Sequence, residues 1–283
     1  MAPRSTPTAR QRRLGAELRT LREDAGLSLL QAATLLGTDR TMISNIEAGR
    51  VGVSEDRFRR LVSHYRVRDA ALVEVLARMA RERKGQWWED YRAALPSGFA
   101  DLAEMEHHAV RLRTAQMVHM PGLLQTEDHA RAVFELAVPP LSRLEVELRV
   151  AHRMRRQAIL QREAPPQYLA IVHEAVLRIG FGGRRIARAQ LSHILEATEQ
   201  EHVTILVIPF GPDGFPGDGH TIGYAEGPVP QLDVVQVDTE HGMVFLGSPG
   251  QLANYRDLLD RMEGVALGPA ESRELIHKVK EDW

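Results

Sequence analysis

The segment Leu27–Arg50, LSLLQAATLLGTDRTMISNIEAGR, constrains the fold more than any other stretch of the chain. Apolar residues recur at helical spacing on both sides of Gly37, which predicts two short helices folded back on one another around a tight turn. Ser28 is placed to cap the first helix, 28–36, whose expected buried residues are Ala32, Leu35 and Leu36. Thr38 or Asp39 caps the second, which runs to about Ala48 with Gly49 just past its end. Ala32 falls where the helices cross, and a large side chain there would push them apart. Ile43 and Ile46 fix the second helix to a core, leaving Asp39, Arg40, Thr41, Ser44 and Asn45 on its outer face.

The flanking sequence continues in the same style. Leu14, Leu18 and Leu21 make one apolar face from about Thr8 to Ala25, where Gly26 stops the helix. Ser54 opens a helix over 55–65 and Asp69 another over 70–84, the latter with Leu72, Val75, Leu76 and Met79 on one stripe. Five short helices over 8–84 predict a compact all-α domain. Charge then separates this part from the rest. Residues 1–84 carry 17 Lys and Arg against 10 Asp and Glu, whereas the remainder carries 19 against 28, for a net charge of −2 overall. A small basic part on a larger acidic body suggests nucleic acid at one end.

The outer-face residues suit that partner. Arg40 can grip a guanine edge bidentately, Asn45 can pair with adenine or phosphate, and Thr41 can meet a thymine methyl group or phosphate. Ser44 completes that face, and Arg50, just past the helix, is placed for a phosphate. Ser28 and Asp39 stand at the two helix starts, where backbone N–H groups also attract phosphate. The negative charge of Asp39 disfavours a base contact by that side chain.

Residues 10–70 resemble the Xre, phage-repressor-like helix-turn-helix family, through Leu27, Ser28, Ala33, Leu36, Gly37, Ile43, Ser44, Ile46, Glu47 and Gly49. Leu29, Ala32 and Asp39 depart from its usual pattern. From about 85 to 281 the chain resembles the C-terminal domain of WhiJ-like regulators of Streptomyces and related actinobacteria. That likeness rests on Trp87-Trp88, Met105-Glu106, Pro121–Thr126, Arg156-Gln157, His173–Ala175, Gln190-Leu191, Val207–Phe210 and Glu271-Ser272. The two resemblances imply a transcriptional regulator, often encoded beside a small acidic partner protein, with no enzyme activity.

The larger part, 85–283, opens on the aromatic cluster Trp87, Trp88 and Tyr91, a candidate domain or dimer interface. Its pattern stays helical to about 165, interrupted at Met120–Gly122 and Pro139-Pro140, and includes a strongly basic helix over 142–162. The arginines of that helix (149, 153, 155, 156 and 162) make either a second phosphate surface or a solvated face. Val203–Phe210 reads as a buried strand, and 221–225, 232–238 and 242–247 as further strands. Helices over 250–263 and 269–281 close the chain. Pro121, Gly122, Gln125 and Thr126, with the glycine-rich loop Gly211–His220, either line an effector or partner site or form a structural corner.

Other chemistries fail on spacing. There are no cysteines, so disulfides, thiolate metal sites and cysteine nucleophiles are excluded. His173-Glu174 lacks the second histidine of a zinc-protease helix, and the glycines at 180, 182 and 183 lack the remainder of a dinucleotide or phosphate loop. No metal, cofactor or catalytic set is expected. The basic N-terminus lacks the apolar core of a signal peptide, no apolar run is long enough to span a membrane, and a cytoplasmic location is expected. Length and composition agree, with 283 residues, 43% of them hydrophobic, predicting about two globular domains. The expected architecture is mainly α, with a five-helix phage-repressor-like domain followed by a larger α+β domain. The expected function is a homodimeric transcriptional regulator reading double-stranded DNA, its C-terminal domain sensing an effector or partner protein. The alternative is an antitoxin-like or partner-binding module whose DNA binding serves autoregulation.

Overall fold

The computed structural model describes residues 7–82, 86–211, 215–239 and 241–283. The chain forms two compact units. One holds the described residues up to Gln86 together with Pro228–Leu232, and the other holds Trp87–Gly227 with Asp233–Trp283. The change of character at Lys84-Gly85 lies outside the described residues.

The first unit consists of α1 (Ala9–Asp24), α2 (Leu29–Leu36), α3 (Arg40–Glu47), α4 (Glu55–His64) and α5 (Ala70–Arg81). Each start is fixed locally: the side chains of Thr8, Ser28, Asp39, Ser54 and Asp69 all accept a backbone N–H of the first turn. The cap of α3 is therefore Asp39, not Thr38. Leu18, Ala32, Ala33, Ile43, Phe58, Leu61 and Leu76 form the core, which Val229 and Leu232 complete. One expectation is corrected here. Leu35 is 42% exposed, because the stripe of α2 runs through Ala32, Ala33 and Leu36 and turns residue 35 outward.

Gly15 explains how closely α1 meets α3. A Cβ on it would lie 2.5 Å from the carbonyl oxygen of Glu47, so the two helices touch backbone to backbone. Gly49 makes the matching approach with φ +68°, a conformation that favours glycine, and a Cβ there would lie 2.8 Å from the Gln11 carbonyl oxygen.

The second unit is built on a mixed six-stranded sheet in the order β3-β2-β1-β4-β5-β6. Its elements are α6 (Ser97–His108), β1 (Arg111–Gln116), α7 (Glu127–Glu135), α8 (Arg143–Gln157), β2 (Gln167–His173), α9 (Glu174–Arg178), α10 (Arg184–Ala197) and β3 (Val203–Ile208). They continue with β4 (Ile222–Glu226), β5 (Val234–Thr239), β6 (Gly242–Leu246), α11 (Pro249–Val265) and α12 (Pro269–Asp282). Strands β1, β2 and β3 run parallel, whereas β4, β5 and β6 join them antiparallel. One face packs on Leu191 and Ile194 of α10 and Ile276 and Val279 of α12. The opposite face packs on Leu252, Leu259 and Met262 of α11. Covered on both sides, β2 and β3 read as continuous apolar runs, as parallel strands do.

The uniformly helical reading of 85–165 is overturned by β1, which occupies the centre of the sheet. Its sequence, RLRTAQ, hides a strand because Arg113 is buried by ion pairs to Asp260 (2.7 Å) and Glu263 (3.1 Å) of α11. Among the described residues, no helix is long and apolar enough to cross a membrane.

Candidate nucleic-acid interface

The residues expected to face DNA collect around α3, and the local sequence dictates how. Gly37 ends α2 at φ 71°, and the N–H of Thr38 returns to the Ala33 carbonyl, which turns the chain within three residues. The Asp39 carboxylate then accepts the Met42 N–H at 2.8 Å. Its charge is placed on the positive end of α3, where it is favourable. Arg40, Thr41 and Ser44 are exposed and Asn45 is half-buried. The Asn45 backbone carbonyl accepts the N–H of Arg50 at 2.9 Å and of Val51 at 3.2 Å, tying exposed Arg50 to the end of the helix. At the start of α2, Ser28 Oγ accepts the Gln31 N–H while the Gln31 side chain accepts the Ser28 N–H at 2.8 Å.

Two features hold α3 in place beneath those residues. Ile43 and Ile46 are buried against the crossing at Ala32. Behind them, Arg22 of α1 grips Glu47 with Nε–Oε1 at 2.6 Å and Nη2–Oε2 at 2.9 Å, and its Nη1 donates to the Leu27 carbonyl at 2.7 Å. The hydrogen bonds to Glu47 hold the guanidinium pKa above its ordinary value, against the cost of burial. Sequence reasoning missed Arg22. The signal was present, since position 22 continues the buried stripe of Leu14 and Leu18. Arg40 and Arg50 have no ion pair among the described residues, unlike Arg19, Arg22 and Arg59 of the same unit. Their charge is left available to a polyanion.

The remaining candidates lie in the larger unit. Within Pro121–Thr126, Gly122–Leu124 forms a 3-10 turn, and three glutamines pin the segment. Gln125 Nε2 donates to the Met120 carbonyl (2.7 Å), Gln157 Nε2 to the Gln125 carbonyl (2.7 Å) and Gln190 Nε2 to the Leu124 carbonyl (2.6 Å). Thr126 caps α7. Gly122 and Gln125 line a cavity of about 240 Å³, whereas Pro121 and Thr126 do not. Residues 212–214 of the glycine-rich loop lie outside the described residues, and none of its described residues borders that cavity.

Of the aromatic cluster, Trp88 is buried inside the larger unit, whereas Trp87 and Tyr91 stay half-buried. Trp88 is 1% exposed against Ala100 and Ala103, and His152 packs between Trp87 (5.4 Å) and Tyr91 (5.1 Å). Burial, helped by Arg156 and Arg153, pushes the His152 pKa down to about 3. The basic helix α8 likewise spends its charge inward. Arg156 pairs with buried Glu106, Arg153 hydrogen-bonds Gln125, and Arg149 lies over the Phe99 ring. Arg155 lies over Trp87, and Arg162 beyond the helix donates to the His107 carbonyl. This geometry does not make a second phosphate surface. His173 caps α9 through Nδ1, and no group of three or more His, Asp or Glu among the described residues could hold a metal ion.

The fold and the site define a helix-turn-helix protein carrying a larger α+β unit. A helix-turn-helix domain family matches residues 13–76, which points to DNA binding and a role in transcriptional regulation. Residues 99–278 match a second family, described as a domain of unknown function (DUF5753), and the chain belongs to that family. No curated protein and no solved structure matches the chain.

Proposed function

We propose that the protein is a sequence-specific transcriptional regulator that binds a pseudo-palindromic operator as a homodimer. The observation that carries this reading is α3. It is an eight-residue helix capped by Asp39, seated on a glycine backbone contact and a buried ion pair, with Arg40, Thr41, Ser44 and Asn45 directed away from the core and Arg50 in no ion pair among the described residues. One such helix buries too little surface for tight specific binding, and two copies roughly 34 Å apart on DNA supply the remainder. The larger unit senses a small effector or a partner protein. Such a signal acts by favouring one arrangement of the two α3 helices over another.

Fluorescence anisotropy on DNA from upstream of the protein's own gene, with salt varied, tests this. Wild type binds tightly with a steep salt dependence, and Arg40→Ala and Asn45→Ala each lose roughly 1–3 kcal/mol of specific affinity while keeping weak non-specific binding. Weak binding shared equally by wild type and both variants would remove α3 as the reading helix.

A further inference from the structure

Arg153 is a half-buried cation that no carboxylate reaches as an ion pair among the described residues, with Asp238 and Glu106 acting on it only at longer range. Its Nη1 donates to Gln125 Oε1 at 2.6 Å, and its guanidinium lies 4.2 Å from the centre of the Phe134 ring. Its Nε is buried without any hydrogen-bond partner. No ion pair reaches it among the described residues. Arg156, one turn further along α8, is different: Glu106 holds it at 2.7 and 2.5 Å, cancelling its charge. A buried donor left unsatisfied is costly, and more so when it is charged. Burial and the neighbouring Arg156 push the Arg153 pKa down to about 9, which still leaves it cationic at neutral pH.

Arg153 borders the 240 Å³ cavity, and the sheet explains why there is a hollow. Thr114, Gly223 and Gln236 stand side by side on β1, β4 and β5. Gly223 has no side chain, and a Cβ there would lie 3.1 Å from Gln236 Oε1. The space left is bounded on one side by Met105, Leu112 and Met120, and also by Asp238, whose Oδ1 accepts Gln236 Nε2 at 2.7 Å. The cavity thus carries an apolar wall, an acceptor and a cation that Asp238 faces without forming an ion pair with it. Its volume lies just under the roughly 300–1,000 Å³ of drug-sized pockets, which limits the occupant to a short molecule.

We propose that this cavity is a ligand site for a small hydroxy or amino acid. The carboxylate binds Arg153, a short apolar body lies against Met105, Leu112 and Met120, and the hydroxyl or amino group donates to Asp238. A monocarboxylate suits the site better than a phosphate, because one guanidinium without an ion-pair partner stands in a cavity whose Asp238 carboxyl already offsets part of its charge. The inference rests on the reading that the larger unit senses an effector, and gives that effector a chemical class.

Isothermal titration of the full-length protein with 2-hydroxy-4-methylpentanoate tests the site, with its primary amide and inorganic phosphate as separate arms. The acid binds saturably, the amide binds at least about tenfold more weakly, and phosphate does not compete. Arg153→Met abolishes acid binding and Arg153→Lys retains part of it, with each variant's thermal transition reporting that it is folded. No binding of the acid by wild type, equal binding of acid and amide, or undiminished binding by folded Arg153→Met overturns the proposal. Anisotropy on operator DNA with and without the acid separates the two claims. Acid binding that leaves DNA affinity unchanged supports the site and removes the sensing role.

Discussion

Replacing Arg22 with alanine tests whether α3 is held in place by a buried charge pair. The lost guanidinium makes two hydrogen bonds to Glu47 and one to the Leu27 carbonyl, at 2.6, 2.9 and 2.7 Å. Both side chains are 7% exposed, so water cannot replace the arginine unless α3 moves. Removing one partner of a buried pair costs about 3–5 kcal/mol, because the other charge stays buried alone. Total stabilities are only about 5–15 kcal/mol, so a large part of this unit's margin goes. At about 1.4 kcal/mol per factor of ten, the opening constant rises by roughly two to three and a half orders of magnitude. Hydrogen exchange of the full chain, read on peptides from α1 and α3, measures this directly, and peptides from β2 and β3 serve as the internal reference. Arg22→Met with Glu47→Leu recovers most of the loss, apart from the unsatisfied Leu27 carbonyl, since an apolar pair of similar volume is often neutral. An acceleration of less than about fivefold in Arg22→Ala would refute the reasoning. It would mean that the Glu47 carboxylate reaches water once the guanidinium is gone.

The cap of α3 makes a second test. Asp39→Ala costs about 1 kcal/mol of stability in urea unfolding. Asp39→Asn keeps the cap and removes a negative charge beside the phosphates, so its DNA affinity at low salt exceeds that of wild type. Equal affinities would place Asp39 away from the duplex. The histidines of the larger unit set an acid limit. Burial, then Arg153 and His119, lower the His129 pKa to about 4, and His152 stands at about 3. Both folded-state values lie below the unfolded value of about 6.5, so the unfolded chain binds the protons first. Stability is unaffected by these groups above pH 6.5 and falls below it, by at most about 1.4 kcal/mol per pH unit for each histidine. Urea midpoints at pH 6.5 and pH 4.5 check this, and His152→Phe shrinks the difference between them. An undiminished difference removes the histidine from the account.

The first unit was legible because its determinants are local. Ser28, Gly37 and Gly49 act within four residues of the helix ends they control, and the apolar stripes repeat inside single helices. Thr38 and Asp39 are both good caps, and only the turn geometry decides that Asp39 reaches Met42. Leu35 was misplaced because Ala33 fills the buried position at less bulk. The larger unit was less legible because its determinants are distant. Arg113 looks like a surface residue until Asp260 and Glu263 arrive from α11. The cavity draws Thr114, Arg153, Gly223 and Asp238 from four separate elements; of its lining the sequence marked Gly122 and Gln125 as a possible ligand site and Arg153 only as part of a basic helix. Arg22 and Arg153 share one disguise. Each sits on or beside a buried helical stripe, where an arginine signals a partner or a ligand rather than solvent.

The contact between Gly15 and the end of α3 bears on how such a protein changes its target. Peptide groups have no rotamers, so the tilt of α3 does not respond to which side chains decorate its far side. Positions 40, 41, 44 and 45 can then be exchanged like type in a fixed frame. If these positions read DNA as proposed, new operator sequences become accessible one residue at a time, without repacking the domain that carries them.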